Sequence, residues 1–194
     1  VGDAACFEGP FEEIGTRVVS KALDDRVGCY VLIETMKKIK ESGGCKNDLY
    51  FVFSVTEELG LRGARAAADG VLPDFAVAVD VTMTGDLPGK NKMAVQLGGG
   101  PAVKVKDNSI LCHPYMKNFM VQTCEENNIP FQMEVLESGG TNAGAILISN
   151  GGVVTGAVSI PARFIHTPCE MVDMGDINGA VTLLTKMAET GFSM

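Results

Sequence analysis

The sequence predicts an α/β domain in which helices cover both faces of a mixed sheet, and three stretches carry that expectation. Residues 49–56, rich in aromatic and β-branched side chains, read as a buried strand that stops at two adjacent carboxylates, Glu57 and Glu58. Residues 60–69 are alanine-rich and closed by Gly70, as a short helix would be. Residues 75–82 then form a second buried strand that carries Asp80 near its end. Strands alternating with helices imply a sheet flanked on both sides, and ligands bind such sheets at the carboxyl ends of strands.

The other elements follow in order. Residues 1–20 are short extended fragments broken by Gly2, Gly9, Pro10 and Gly15, unable to build a core unaided. Val27, Val31, Leu32, Thr35, Met36 and Ile39 recur at helical spacing, so a helix runs over 29–41 and stops at Gly43-Gly44. Asp24 falls at or just before its amino end, where aspartate is a good cap. A polar loop is expected over 83–91 and a short strand over 93–97. The Gly98-Gly99-Gly100-Pro101 turn after it would let backbone approach a ligand closely. An amphipathic helix over 114–127, a strand over 131–135, a helix opened by Ser138-Gly139-Gly140-Thr141-Asn142 and a buried strand over 153–160 come next. Residues 170–174 read as a connector and 176–190 as a closing amphipathic helix.

Composition narrows the function. The 194 residues suit one domain, with 46% hydrophobic and 21% charged residues. A net charge of −8 argues against a nucleic-acid partner and is compatible with binding cations. No apolar run approaches the roughly 20 residues of a membrane-spanning helix. The six cysteines form no C-x-x-C pair and sit mostly in apolar company, which points to free buried thiols and a cytoplasmic protein.

The candidate site residues each have two readings. Glu57 and Glu58 could open a helix, where acids favour the dipole, or hold a metal and face a substrate. Asp80 follows four apolar residues, and a carboxylate there needs a partner: an arginine, backbone amides or a metal ion. His166 follows Phe164 and Ile165 and precedes Thr167-Pro168, as either a hydrogen-bonded core residue or a ligand. His113, before Pro114, reads as exposed and incidental. Free amides at the start of the 138–148 helix could hold an anionic group or simply begin the helix.

Taken together these segments resemble one family. The stretches 21–28 (KALDDRVG), 56–64 (TEELGLRGA), 80–82 (DVT), 139–144 (GGTNAG) and 159–168 (SIPARFIHTP) occur in that order. They are similar to the glutamyl aminopeptidases, which include deblocking and tetrahedral aminopeptidases and some members named cellulase M or endoglucanase. The resemblance implies a zinc-exopeptidase-like three-layer sandwich that removes amino-terminal residues from peptides with two divalent metal ions, zinc or cobalt. By it, Asp24 bridges the two ions, Glu58 and His166 complete the second, Asp80 binds the first, and Glu57 is the general base. Carboxylates and imidazole suit zinc, cobalt or manganese. Arg163, Gly139, Gly140 and Thr141 are candidates for the substrate pocket.

The resemblance also marks departures. The family's first ion needs a histidine from an upstream H-x-D motif absent from this chain, and His113 lies in the wrong region to replace it. Residues 1–20 are expected to end an inserted dimerisation domain, and residues 21–194 to be the carboxyl-terminal portion of the catalytic domain of a longer peptidase. Asn142 stands where aspartate is usual and Leu147 where histidine is common. The whole protein is expected to self-associate, with this portion impaired. A glycoside hydrolase is the first rival, although glycosidase carboxylates sit apart across the sugar and need no metal; an aromatic content of 6% without tryptophan also lacks stacking platforms. A binding protein on an inactive peptidase fold is the second.

Overall fold

A computed structural model describes residues 1–89 and 92–193. Among the described residues seven strands form one mixed sheet: β1 (Glu12–Ile14), β2 (Arg17–Ser20), β3 (Phe75–Met83), β4 (Ala102–Lys106), β5 (Gln132–Val135), β6 (Val154–Arg163) and β7 (Glu170–Asp173). The hydrogen-bonded order is β1-β2-β7-β6-β4-β5, with β3 parallel to β6 in a register that runs from Phe75 opposite Val154 to Met83 opposite Ala162. Both are largely apolar and mostly buried along their length, the pattern of strands covered on both faces.

Helix α5 (Met174–Thr190) packs against both α1 (Leu23–Glu41) and α3 (Pro114–Glu126), all three lying on the sheet, while α2 (Arg62–Val71) and α4 (Asn142–Leu147) pair with each other, α4 lying on β3 and β6. Val31, Met116, Met120, Val158, Ile160 and Leu183 are fully buried in the larger core. A smaller cluster of Ala78, Ile110, Cys112, Ala143 and Ala157 lies under α4. The expected layering of helix, mixed sheet and helix is therefore present.

Several expectations need correction. Residues 49–56 form no strand: the segment pairs with none of the described strands, and Tyr50 and Val55 are about 70% exposed. It is tied down instead by Gly63, whose amide donates to the Val55 carbonyl, and by Asn142, whose Nδ2 donates to Ser54 Oγ. Between this segment and β3 lies a groove of about 1090 Å³, lined by Leu32, Phe53, Ala68, Val77, Val79 and Met187. Residues 93–97 are irregular, and 90 and 91 of the expected polar loop lie outside the described residues. Residues 102–106 are a strand that lysines at alternate positions disguised, and residues 170–173, read as a connector, are β7. Strand β6 runs on through Pro161 to Arg163. Pro161 falls between the stretches of β6 paired with β4 and with β7, so its missing amide leaves no ladder bond open on that edge.

The cysteines also differ from expectation. All six are free, but only Cys112 and Cys124 are buried. His113 is half-buried rather than incidental: it caps α3, its Nδ1 accepting the Tyr115 amide at 3.2 Å. No described helix is long and apolar enough to cross a membrane.

Candidate metal centre and active site

Three irregular turns deliver three ligand-type side chains to one point. Asp24 sits at the start of α1, where Ala22 is left-handed at φ 52° and Asp24 and Asp25 have non-helical torsions. The cap expected of Asp24 is made by its neighbour: Asp25 Oδ1 accepts the Gly28 amide at 2.9 Å, three residues on, in capping geometry. Asp24 is thereby left free to point elsewhere. Glu58 lies in the turn between Thr56 (φ 57°) and Leu61 (φ 60°), and His166, itself at φ 63°, follows β6. Left-handed torsions in non-glycine residues are uncommon and gather at functional sites.

His166 Nε2 lies 3.1 Å from Asp24 Oδ2 and 2.9 Å from Glu58 Oε1. One ligand atom from each of the three residues falls within 4.8 Å of the others. The Asp24 side chain is 12% exposed, whereas those of Glu58 and His166 are more than half exposed, so the pocket opens to solvent on one side. Two carboxylates and an imidazole converging on one point could hold a divalent cation, and the residues fit such an ion by chemistry and spacing.

Asp80 and Glu57 flank this triad without joining it. Asp80 is buried on β3, and its Oδ1 accepts the Val81 amide at 2.8 Å. Burial pushes its carboxyl up to about 8, with the charges of Glu57 and Asp24 adding to the effect. Burial likewise lifts Asp25, with Asp80 as the largest neighbouring charge. Glu57 is half-buried, and its carboxyl is raised by desolvation, then by Glu58 and Asp24. Asp24 is raised by burial and by Glu58, against the lowering effect of His166. Burial and mutual repulsion thus make Asp24, Asp25, Glu57 and Asp80 release their protons less readily than isolated carboxyls do.

The four pocket candidates have other partners. Arg163 makes a two-pronged pair with Asp86, at 3.2 Å from Nε and 2.7 Å from Nη2. Thr141 is buried and donates to Asp107 Oδ2, Gly140 packs against Ser109, and the Gly139 carbonyl accepts from Asn108. None of these hydrogen bonds reaches the Asp24 cluster. The triglycine turn is also occupied, since the amides of Gly98 and Gly100 bind the carboxylate of Asp176 at the head of α5. Sequence reasoning missed Glu170, which accepts the amides of both Asp24 and His166. It also left Asp25 without a role; the doubled acid Asp24-Asp25, like Glu57-Glu58, was the available signal.

The layered sheet is a fold shared with solved aminopeptidases. An aminopeptidase from the archaeon Desulfurococcus kamchatkensis superposes with a TM-score of 0.91 at 38% identity, over 95% of this chain and 52% of that one. The TET1 peptidase of Pyrococcus horikoshii, which can assemble into a tetrahedron or a large octahedral shell, superposes with a TM-score of 0.81 at 31% identity, over 94% of this chain and 53% of that one. The chain belongs to the M42 glutamyl aminopeptidase family, which it matches over residues 1–183. A putative aminopeptidase of Acetivibrio thermocellus is 50% identical over 96% of this chain and 56% of its own length. The chain thus spans about half the length of the curated relatives it matches.

Proposed function

We propose that the protein to which this chain belongs is a two-metal aminopeptidase that removes amino-terminal residues from peptides. The observation that carries the reading is the convergence of Asp24, Glu58 and His166 within 4.8 Å, flanked by Glu57 and Asp80. In this reading Glu58 and His166 would hold one ion, Asp80 would hold the other, and Asp24 would serve both; zinc and cobalt suit these donors. When bound, the ions supply Lewis acidity toward the scissile carbonyl and the attacking water.

Glu57 is the proton carrier. It lies among the acids, outside the Asp24–Glu58–His166 triad, and its raised carboxyl moves it toward the range in which a group can both take and return a proton. Its carboxylate takes a proton from the attacking water and delivers it to the leaving amine nitrogen as the peptide C–N bond breaks. Arg163 and residues 139–141, committed to Asp86 and the 107–109 turn, would contribute shape to the substrate pocket rather than free donors.

Residues 1–20 would end an inserted dimerisation unit, and residues 21–194 would be the carboxyl-terminal portion of the catalytic domain. The longer protein would self-associate, in keeping with the assembly of the P. horikoshii relative. This portion alone, with Asp80 short of a histidine partner, would turn over poorly. The test is hydrolysis of aminoacyl-anilides by the relative-length protein with and without a chelator, beside a Glu57→Gln variant. Chelation should abolish turnover, and Glu57→Gln should lower kcat about 10²–10⁴-fold with metal content unchanged. Activity that survives both would refute the mechanism.

A further inference from the structure

Glu170 is the first residue of β7, opposite Ser20 of β2, and is 3% exposed. A carboxylate so buried needs a cation or several donors to offset its lost hydration. No ion pair of Glu170 occurs among the described residues. Two backbone amides hold it instead: Asp24 N donates to Oε2 at 2.9 Å, and His166 N donates to Oε1 at 2.8 Å. The donors lie 146 and 4 residues away along the chain, and they belong to two of the three residues of the triad.

Neither amide has a secondary-structure partner that would do this work. Asp24 has non-helical torsions at the ragged start of α1, and His166 is left-handed in the turn after β6. Irregular backbone of this kind keeps its conformation only where the surroundings over-determine it. We propose that Glu170 is a positioning residue for the metal centre, clamping the backbones of Asp24 and His166 so that their side chains arrive at a common point. Both of its oxygens are engaged by amides, so it acts through those two residues. The inference rests on the metal-site reading above and adds to it a buried acid that sets the spacing between two ligands.

The experiment compares the chain with its Glu170→Gln and Glu170→Asp variants by residue-resolved amide exchange and by zinc titration. Glutamine preserves size and burial but offers one acceptor oxygen and turns an NH₂ group toward the second amide. Exchange at the Asp24 and His166 amides should become at least about tenfold faster, since a hydrogen bond to a charged group is lost or weakened. Amides in α3 and α5 should be unchanged, which a general loss of structure would not allow. Zinc affinity should fall about 10–100-fold, the usual effect of disturbing the groups that orient metal ligands. Glu170→Asp, with both oxygens retained, should restore part of each loss. Unchanged exchange at the two amides in Glu170→Gln, or faster exchange with unchanged zinc affinity, overturns the proposal. A parent chain that takes up no zinc defeats the metal-site reading itself, and the exchange measurement then decides on its own whether Glu170 holds the two backbones.

Discussion

Replacing Lys104 by methionine perturbs the polar layer beside the site in a way that can be worked out in advance. Lys104 is fully buried on β4, with Nζ 2.5 Å from Glu134 Oε1 and 3.5 Å from Asp107 Oδ2. Glu134, equally buried, also accepts Thr82 Oγ1 at 2.7 Å, and its Oε2 has no hydrogen-bond partner among the described residues. Asp107 is better provided, since its Oδ1 accepts the amides of Ser109 and Ile110. Methionine would fill the space of the lysine stem and leave Glu134 charged, buried and almost unpaired. Breaking one side of a buried pair costs about 3–5 kcal/mol. At about 2–4 °C per kcal/mol for a domain of this size, the melting midpoint should fall by about 6–20 °C. Thermal melts by circular dichroism at neutral pH measure it. Replacing Glu134 by methionine as well removes the stranded charge and should recover most of the loss, because a buried ion pair contributes little over well-packed apolar groups. A Lys104→Met midpoint within about 2 °C of the parent, far inside the stated range, would refute the premise that this pair is dry and charged.

Two more outcomes follow from the acid cluster and the groove. Asp80 and Asp25 are raised to about 8 and about 9. Groups raised on folding contribute stability that is complete below the unfolded carboxylate range and is lost as pH rises through the folded values. The metal-free chain should therefore melt lower at about pH 9 than at about pH 6, and saturating zinc should flatten that slope; a metal-free midpoint that holds or rises over the range contradicts the assignment. The apolar groove beside β3 should bind an environment-sensitive dye, and Phe53→Glu, on the exposed segment, should reduce the binding without lowering the melting midpoint. Equal dye binding by both proteins would mean that the dye reports another surface.

Much of this architecture was legible because apolar runs declare themselves. Residues 75–82 and 153–160 read as buried strands and form the longest pair of the sheet. The strand β4 was illegible because Lys104 is neutralised by Glu134 from β5, a partner that only the fold reveals. Residues 49–56 carry the pattern of a strand covered on both faces, yet they pair with none of the described strands. Such a pattern states how a segment is to be buried, and it does not say which stretch of polypeptide covers it. At the site, the ligand-type residues stood out because acids after apolar runs are costly without a partner, and their sequence context agreed with a known family. Glu170 left no such mark: its part is played toward backbone amides, which no side-chain pattern records. The cap was misassigned between Asp24 and Asp25 because both satisfy the local rule, and the torsions at the start of α1 decide which one faces the helix.

The most direct test of the account is calorimetric zinc titration of the metal-free chain beside an Asp24→Ala variant, each checked for native circular dichroism. Asp24 has the least exposed of the three converging side chains, and its Oδ2 lies 3.1 Å from His166 Nε2. The parent chain should bind zinc saturably, and the variant should lose that binding. Equal zinc uptake by the two folded proteins would contradict it, because the cation would then be held somewhere other than between Asp24, Glu58 and His166.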